Sequence, residues 1–216
     1  MINILNTIFN PIVWLHYKTR NIRIFLKSGI PRKAKVLEIG PGSNPWFRSD
    51  VLCEKYLQDN TERSGDLVRD GRPLIHADAC NMPFNDKEFD FVFCSHIMEH
   101  VEDLEGFLSE IQRVGKAGYL ETPNYLFEQT VGTTTHKLAF WVENGVLHAE
   151  PKWVPGAPER AYHGMHRALR KNPFLGAAYI LTPETQVMSL FWRDKINYVI
   201  HPVPVPLQET RSSEVK

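Results

Sequence analysis

The chain has 216 residues, 43% of them hydrophobic and 23% charged. That is the composition of one ordinary globular domain, able to bury a core without disulfide staples. Lys plus Arg and Asp plus Glu each number 25, which argues against a nucleic-acid binder with the usual basic excess. The balance is uneven, however: residues 1–35 hold seven bases and no acid, and residues 36–110 hold 16 acids against six bases.

Three cysteines (Cys53, Cys80, Cys94) with no CxxC spacing indicate neither a disulfide framework nor a zinc knuckle, and each sits in or near an apolar run. The amino terminus lacks the leading charges and cleavage site of a signal peptide, and no apolar stretch has the length of a membrane span. The expected location is cytoplasmic.

In chain order, residues 1–33 read as a mostly helical, basic cap. Lys33–Ile39 (KAKVLEI) is a first strand ending in Gly40-Pro41-Gly42. Asp50–Tyr56, Leu74–Ala77 and Phe89–Ser95 are further strand candidates, the last rich in aromatic and β-branched residues. Leu104–Val114 carries apolar residues at 104, 107, 108, 111 and 114, a helical spacing. Gly118–Glu121 is a fifth strand. This alternation predicts an α/β fold with a mostly parallel sheet over a half spanning residues 34–124. An inserted segment, 125–185, follows. Within it, residues 137–152 predict a β-hairpin about Asn144-Gly145. Residues 186–201 predict a C-terminal strand pair, and 202–216 an extended tail.

The Val36–Ser43 segment places Glu38 two residues before a Gly-x-Gly turn at the carboxyl end of the first strand. Open α/β sheets bind ligands at that edge, and the second glycine lets the backbone approach a ligand. A dinucleotide fingerprint is not met, because Pro45 and Trp46 stand where a third glycine would be needed.

Three segments in order carry a resemblance: Glu38-Ile-Gly-Pro-Gly, Asp78-Ala-Cys-Asn-Met-Pro-Phe, and Phe89 to Val101 with its Glu99-His100-Val101. They resemble class I S-adenosylmethionine-dependent methyltransferases, nearest the type 11 subgroup, over roughly residues 34–124. The resemblance implies a Rossmann-like sheet of seven strands with the last antiparallel, here with the hairpin as an added lid. It implies S-adenosyl-L-methionine as cofactor and S-adenosyl-L-homocysteine as product. By resemblance, Gly40, Pro41 and Gly42 lie against the methionine part, with Glu38 toward its amino end. Glu54 takes the ribose hydroxyls, with Asp59 as competitor. Asp78 and the backbone of Ala79 meet the adenine, and Ser95 and His96 lie beside the transferring methyl.

His96-x-x-Glu99-His100 admits three readings. It matches a zinc-peptidase pattern, which the preceding strand disfavours. It has the spacing of a divalent-metal site formed by His96, Glu99 and His100, completed by a distal His136, His148, His163 or His166. It is also simply how this subgroup reads at that point, with only His96 facing the pocket; this third reading is favoured. Methyl transfer is a displacement at carbon that depends on alignment. For a hydroxyl nucleophile, His96 is the candidate catalytic base.

The inserted segment is too aromatic for a disordered loop, and His136, Trp141 and Tyr125 are candidate substrate contacts. No Asp/Asn-Pro-Pro-Tyr/Phe motif follows the fourth strand, which counts against amino methylation of adenine. The expected acceptor is a small molecule or a carbohydrate-like, glycan or lipid-linked compound methylated on oxygen, with no nucleic acid. A metal-assisted enzyme and a non-catalytic methyltransferase-like binding protein are the rivals. Arg20, Arg23 and Lys27 share one helical face within residues 1–30, suited to a cap on the acidic body or to a weak membrane-surface contact.

Overall fold

Apolar runs that need cover on both faces organise this molecule. The computed structural model describes residues 19–60, 65–130, 135–152 and 187–202. A helix over residues 19–28 (α1) precedes strands β1 (Val36–Ile39), β2 (Val51–Glu54), β3 (Leu74–His76) and β4 (Phe91–Ser95). A 3-10 turn (Met98–His100), α2 (Leu104–Val114), β5 (Ala117–Pro123) and α3 (Tyr125–Thr130) follow. The hairpin β6 (Leu138–Glu143) and β7 (Val146–Pro151) comes next, then β8 (Val187–Arg193) and β9 (Tyr198–Ile200).

The main sheet has the order β3-β2-β1-β4-β5-β8, parallel except for β8, which runs antiparallel to β5. The expected α/β sheet with a terminal antiparallel strand is therefore present. Its two faces are built by the period-2 alternation of β4. Val92 and Cys94 join Leu37 and Leu120 under Phe107, Leu108 and Ile111 of α2. Phe91 and Phe93 join Val36, Tyr119 and Trp46 under Ile24 of α1. The five apolar positions predicted for α2 are all buried, and Asp103 caps the helix by accepting from the Gly106 amide at 2.8 Å.

Residues 40–50, between β1 and β2, form turns rather than a crossover helix. Trp46 and α1 cover that face instead. Trp46 is 1% exposed and stacks on Phe93 at 4.5 Å between ring centroids, and its indole N–H donates to the Asn21 carbonyl at 3.2 Å. Truncating such a ring costs about 3–5 kcal/mol. The described part of the basic arm is thus a docked cap. No helix among the described residues is long and apolar enough to cross a membrane.

The predicted hairpin forms with Asn144 at φ +51° and Gly145 at φ +76°, the two positive values a tight Asn-Gly turn requires. Of the insertion expected to act as a lid, residues 131–134 and 153–185 lie outside the described residues, and the hairpin is the part that is described. Phe140, Leu147 and Ala149 belong to the main core with Met98 and Met188, so the hairpin is a packed wall. The expected C-terminal strand pair is corrected, because its members separate into different sheets. β8 joins β5, whereas β9 pairs in parallel with β7. The cause is tertiary anchoring. The Asp194 amide donates to the Lys116 carbonyl at 2.8 Å and the Ile196 amide to Gln112 Oε1 at 2.6 Å. Ile196 itself is buried in the main core. The chain is thereby led away from β8, and six strands of the main sheet, not seven, are found among the described residues.

Candidate active site

The carboxyl edge of β1, β2, β4 and β5 gathers the residues singled out in the sequence. Gly40 (φ +64°) and Gly42 (φ +53°) turn the chain in the left-handed region that glycine tolerates. The Gly40 amide donates to the Cys53 carbonyl at 2.9 Å, and the Gly42 carbonyl accepts from Val68 at 3.1 Å. A Cβ on Gly40 would lie 2.0 Å from Ile97 Cδ1, so the turn sits directly against the segment that carries His96. Pro41 between the glycines is buried.

Glu38 is buried on the α1 face of β1. Its carboxylate accepts from the Trp46 amide (2.9 Å to Oε2) and from the Ser49 hydroxyl (2.6 Å). Burial raises its pKa to about 7 against these donors. The structure therefore shows Glu38 as the anchor of the 44–49 loop, with its oxygens turned to the chain's own donors.

Glu54 ends β2 one position beyond the Ile39–Cys53 pair and so lies level with Gly40. It is buried, and Oε1 accepts from the Tyr56 amide at 3.0 Å. Asp78 follows β3, half exposed. It pairs with Lys55 at 2.8 Å and accepts from the Cys80 amide at 2.9 Å. The Lys55 hydrogen bond, with the Cys80 amide behind it, holds its carboxyl below the usual range. Ala79 packs against the main core. Glu54 and Asp78 are neighbours through the Ala77 amide, which donates to the Glu54 carbonyl at 3.3 Å.

At the other side of the edge, His96 has φ +59°, a conformation that costs a non-glycine residue of order 1 kcal/mol or more. Its amide donates to the Glu121 carbonyl at 2.8 Å. Nδ1 lies 3.2 Å from Glu99 Oε1 and Nε2 lies 3.4 Å from Glu121 Oε1. Burial alone would lower the imidazole pKa, but hydrogen bonding to Glu121 and Glu99 outweighs it and raises the group to about 9. His96 is thus poised as an imidazolium between carboxylates, a different starting state from the neutral base expected from the sequence.

Glu121 is the functional residue that sequence reasoning missed. Its buried carboxylate meets Arg20 of α1, the Ser95 hydroxyl at 3.1 Å, the Tyr119 hydroxyl at 2.5 Å and His96. Burial would raise its pKa, but His96 and Arg20 pull it down to about 2. The available signal was an acid at the carboxyl end of the fifth strand, the same logic that selected Glu54. Arg20 also donates to Ser95 Oγ at 2.9 Å. Ser95, His96, Glu121 and Arg20 therefore form one polar cluster.

Of the expected substrate residues, Trp141 and Tyr125 meet edge to face at 5.3 Å. Trp141 also stacks with His148 at 5.0 Å and His201 at 5.1 Å. His136 is turned elsewhere. Its Nδ1 bonds the buried Glu128 at 2.5 Å, and it lies with Glu99 and His100. Of the residues in the less favoured metal reading, those whose ligand atoms converge among the described residues are Glu99, His100 and the distal His136. The ring of His96 is held by Glu99 and Glu121 instead. His163 and His166 lie outside the described residues.

Residues 49–120 match the Methyltransferase domain family model (Methyltransf_11). A demethylmenaquinone methyltransferase of Staphylococcus saprophyticus is 28% identical over 120 residues, covering 50% of this chain and 52% of that one. One from Thermobifida fusca is 37% identical over 62 residues, covering 29% and 26%. The chain thus spans about half, or less, of the length of these curated relatives. A SAM-dependent methyltransferase structure from Thermotoga maritima aligns with TM-score 0.41 and 22% identity over 56% of this chain and 57% of that one. The methyltransferase-domain match thus runs from β2 into β5 of the mostly parallel sheet, after the glycine turn at its carboxyl edge.

Proposed function

We propose that the protein transfers a methyl group from S-adenosyl-L-methionine to an oxygen of a small-molecule acceptor. The observation that carries this reading is the carboxyl edge itself: a bare glycine turn lies level with the carboxylate of Glu54, and a Ser95–His96–Glu121 cluster stands on the neighbouring strands.

The residues fit the cofactor by chemistry. The Gly40-Pro41-Gly42 backbone offers close approach, Glu54 suits vicinal hydroxyls, and Asp78 suits an amino donor beside Ala79. When bound, the cofactor supplies an electrophilic methyl on a sulfonium, and the acid-rich half of the chain is suited to that positive charge. Ser95 and His96 are placed for the acceptor side. The longer of the two His96 contacts, Nε2 to Glu121 at 3.4 Å, is the one an acceptor hydroxyl would replace, while Glu99 keeps the ring oriented through Nδ1. As an imidazolium His96 cannot take the acceptor proton; it must first lose its own Nε2 proton, so base catalysis through it is expected to rise as pH approaches about 9. The stacked Trp141 face, with Tyr125 at its edge, suits a flat ring or a sugar face. A glycan or lipid-linked acceptor remains within this reading. The names of the curated relatives favour a small molecule over a nucleic acid.

Transfer of label from methyl-labelled S-adenosylmethionine to panels of phenols, quinols, sugars and lipid extracts tests the proposal. Labelled product with wild type and its loss with His96→Ala are expected. Tight cofactor binding with no transfer to any acceptor favours a non-catalytic binding protein.

A further inference from the structure

We propose that Glu99, His100 and His136 form a binding site for a divalent transition-metal ion of the zinc class. One ligand atom from each of the three lies within 4.8 Å of those of the other two. The residues come from two distant stretches, the 3-10 turn after β4 and the lead-in to β6, so the fold rather than local sequence assembles them.

Two further observations point to a cation. Glu99 is 0% exposed, and its Oε2 has no hydrogen-bond partner, while Oε1 is held by His96 at 3.2 Å. A buried carboxylate oxygen without a donor is costly and needs a counter-charge. His136 is already oriented as a metal ligand is. Its Nδ1 is bonded to the buried carboxylate of Glu128, which leaves Nε2 as the coordinating nitrogen. Glu128 is itself held by Lys152 at 2.9 Å. The rings of His100 and His136 meet edge to face at 4.7 Å between centroids.

Two imidazoles and one carboxylate are borderline ligands that suit Zn2+, Co2+, Mn2+ or Fe2+ rather than Ca2+ or Mg2+. Three protein ligands leave at least one position open. The ion would tie the His96-bearing turn to the hairpin wall through the Lys137 amide as well, which already donates to the Glu99 carbonyl at 2.8 Å. The site does not depend on methyl transfer, so metal uptake and cofactor binding are read separately.

The test loads full-length protein carrying no purification tag with Zn2+ or Co2+, removes free ion and measures retained metal and the visible Co2+ spectrum. Wild type is expected to retain about one ion per chain with the intense bands of a low-coordinate Co2+ site. His136→Ala and Glu99→Gln are expected to weaken retention by about 100-fold or more, and Glu128→Gln by roughly 10- to 100-fold through its hold on His136. His148→Ala, which alters the separate His148–His201 pair, is expected to leave retention unchanged. Far-ultraviolet circular dichroism confirms that each variant is folded. If a variant does not fold, the Co2+ spectrum of wild type and His148→Ala still decides. Absence of retained metal and of Co2+ bands in wild type overturns the proposal, as does loss of metal on changing His148 but not His136.

Discussion

The guanidinium of Arg20, on the amino-terminal helix, pairs with the buried carboxylate of Glu121 at the end of β5. That one contact ties the basic arm to the acidic body and places an arm residue beside Ser95 and His96. Glu121 would otherwise sit among Ser95, Tyr119 and His96 without its permanent cation. Removing one partner of such a pair leaves a buried charge poorly compensated, although Arg20 is 29% exposed and water can substitute in part. Arg20→Ala is therefore expected to destabilise the protein by about 1–3 kcal/mol, read by urea denaturation. An unchanged midpoint would mean that Ile24 and Trp46 alone dock the helix.

The same carboxylate sets an acid limit. Its pKa of about 2 in the folded protein lies below the ordinary value of 4.5, so its contribution is fully present above pH 4.5 and is lost as pH falls toward 2. A shift of that size corresponds to about 3 kcal/mol. Glu121→Gln is expected to lower stability at neutral pH and to flatten the decline between about pH 4.5 and 2. Denaturation midpoints across that range for both proteins provide the measurement. Parallel curves would show that other carboxylates govern acid unfolding.

Glu38 has the opposite sign. Burial raises it to about 7 from 4.5, so the folded state holds its proton more tightly than the unfolded state. The stabilisation is complete below pH 4.5 and is lost as pH rises through about 7. Wild type is expected to lose on the order of 3 kcal/mol across that window, and Glu38→Gln, which cannot ionise, is expected to lack this component.

Gly40 combines a positive φ with contact to Ile97. Gly40→Ala is expected to shift the turn and weaken S-adenosylhomocysteine binding by about tenfold or more while the distal hairpin stays folded. Adding Ile97→Ala removes the clash but not the backbone strain, so recovery is expected to be partial. Isothermal titration of the two variants distinguishes these contributions; full affinity in Gly40→Ala would show that the turn does not meet the cofactor.

Much of this site was legible because its signals are local. The Gly40-Pro41-Gly42 turn, the strand-end acids Glu54 and Asp78 and the α2 periodicity each lie within a few residues, and the Asn144-Gly145 hairpin follows from turn chemistry alone. What was not legible depends on chain separation. Glu121 gains meaning only when Arg20, 101 residues away, and His96 close on it. His136 joins Glu99 only after the hairpin packs. The route of β9 is decided by the burial of Ile196 and the hold of Gln112, neither of which a period-2 pattern encodes. Trp46, which breaks the third-glycine pattern, proves to be core for the face that lacks a crossover helix.

The central claim is that this carboxyl edge binds the methyl-donor cofactor, and direct titration of the full chain with S-adenosylhomocysteine tests it most directly. The account predicts saturable binding with a stoichiometry of about one per chain and an affinity on the order of micromolar. It also predicts a loss of about tenfold or more for Glu54→Ala and for Asp78→Ala in proteins with unchanged circular dichroism. No heat of binding and no thermal stabilisation of folded wild type at millimolar ligand, or binding untouched by either substitution, would contradict it.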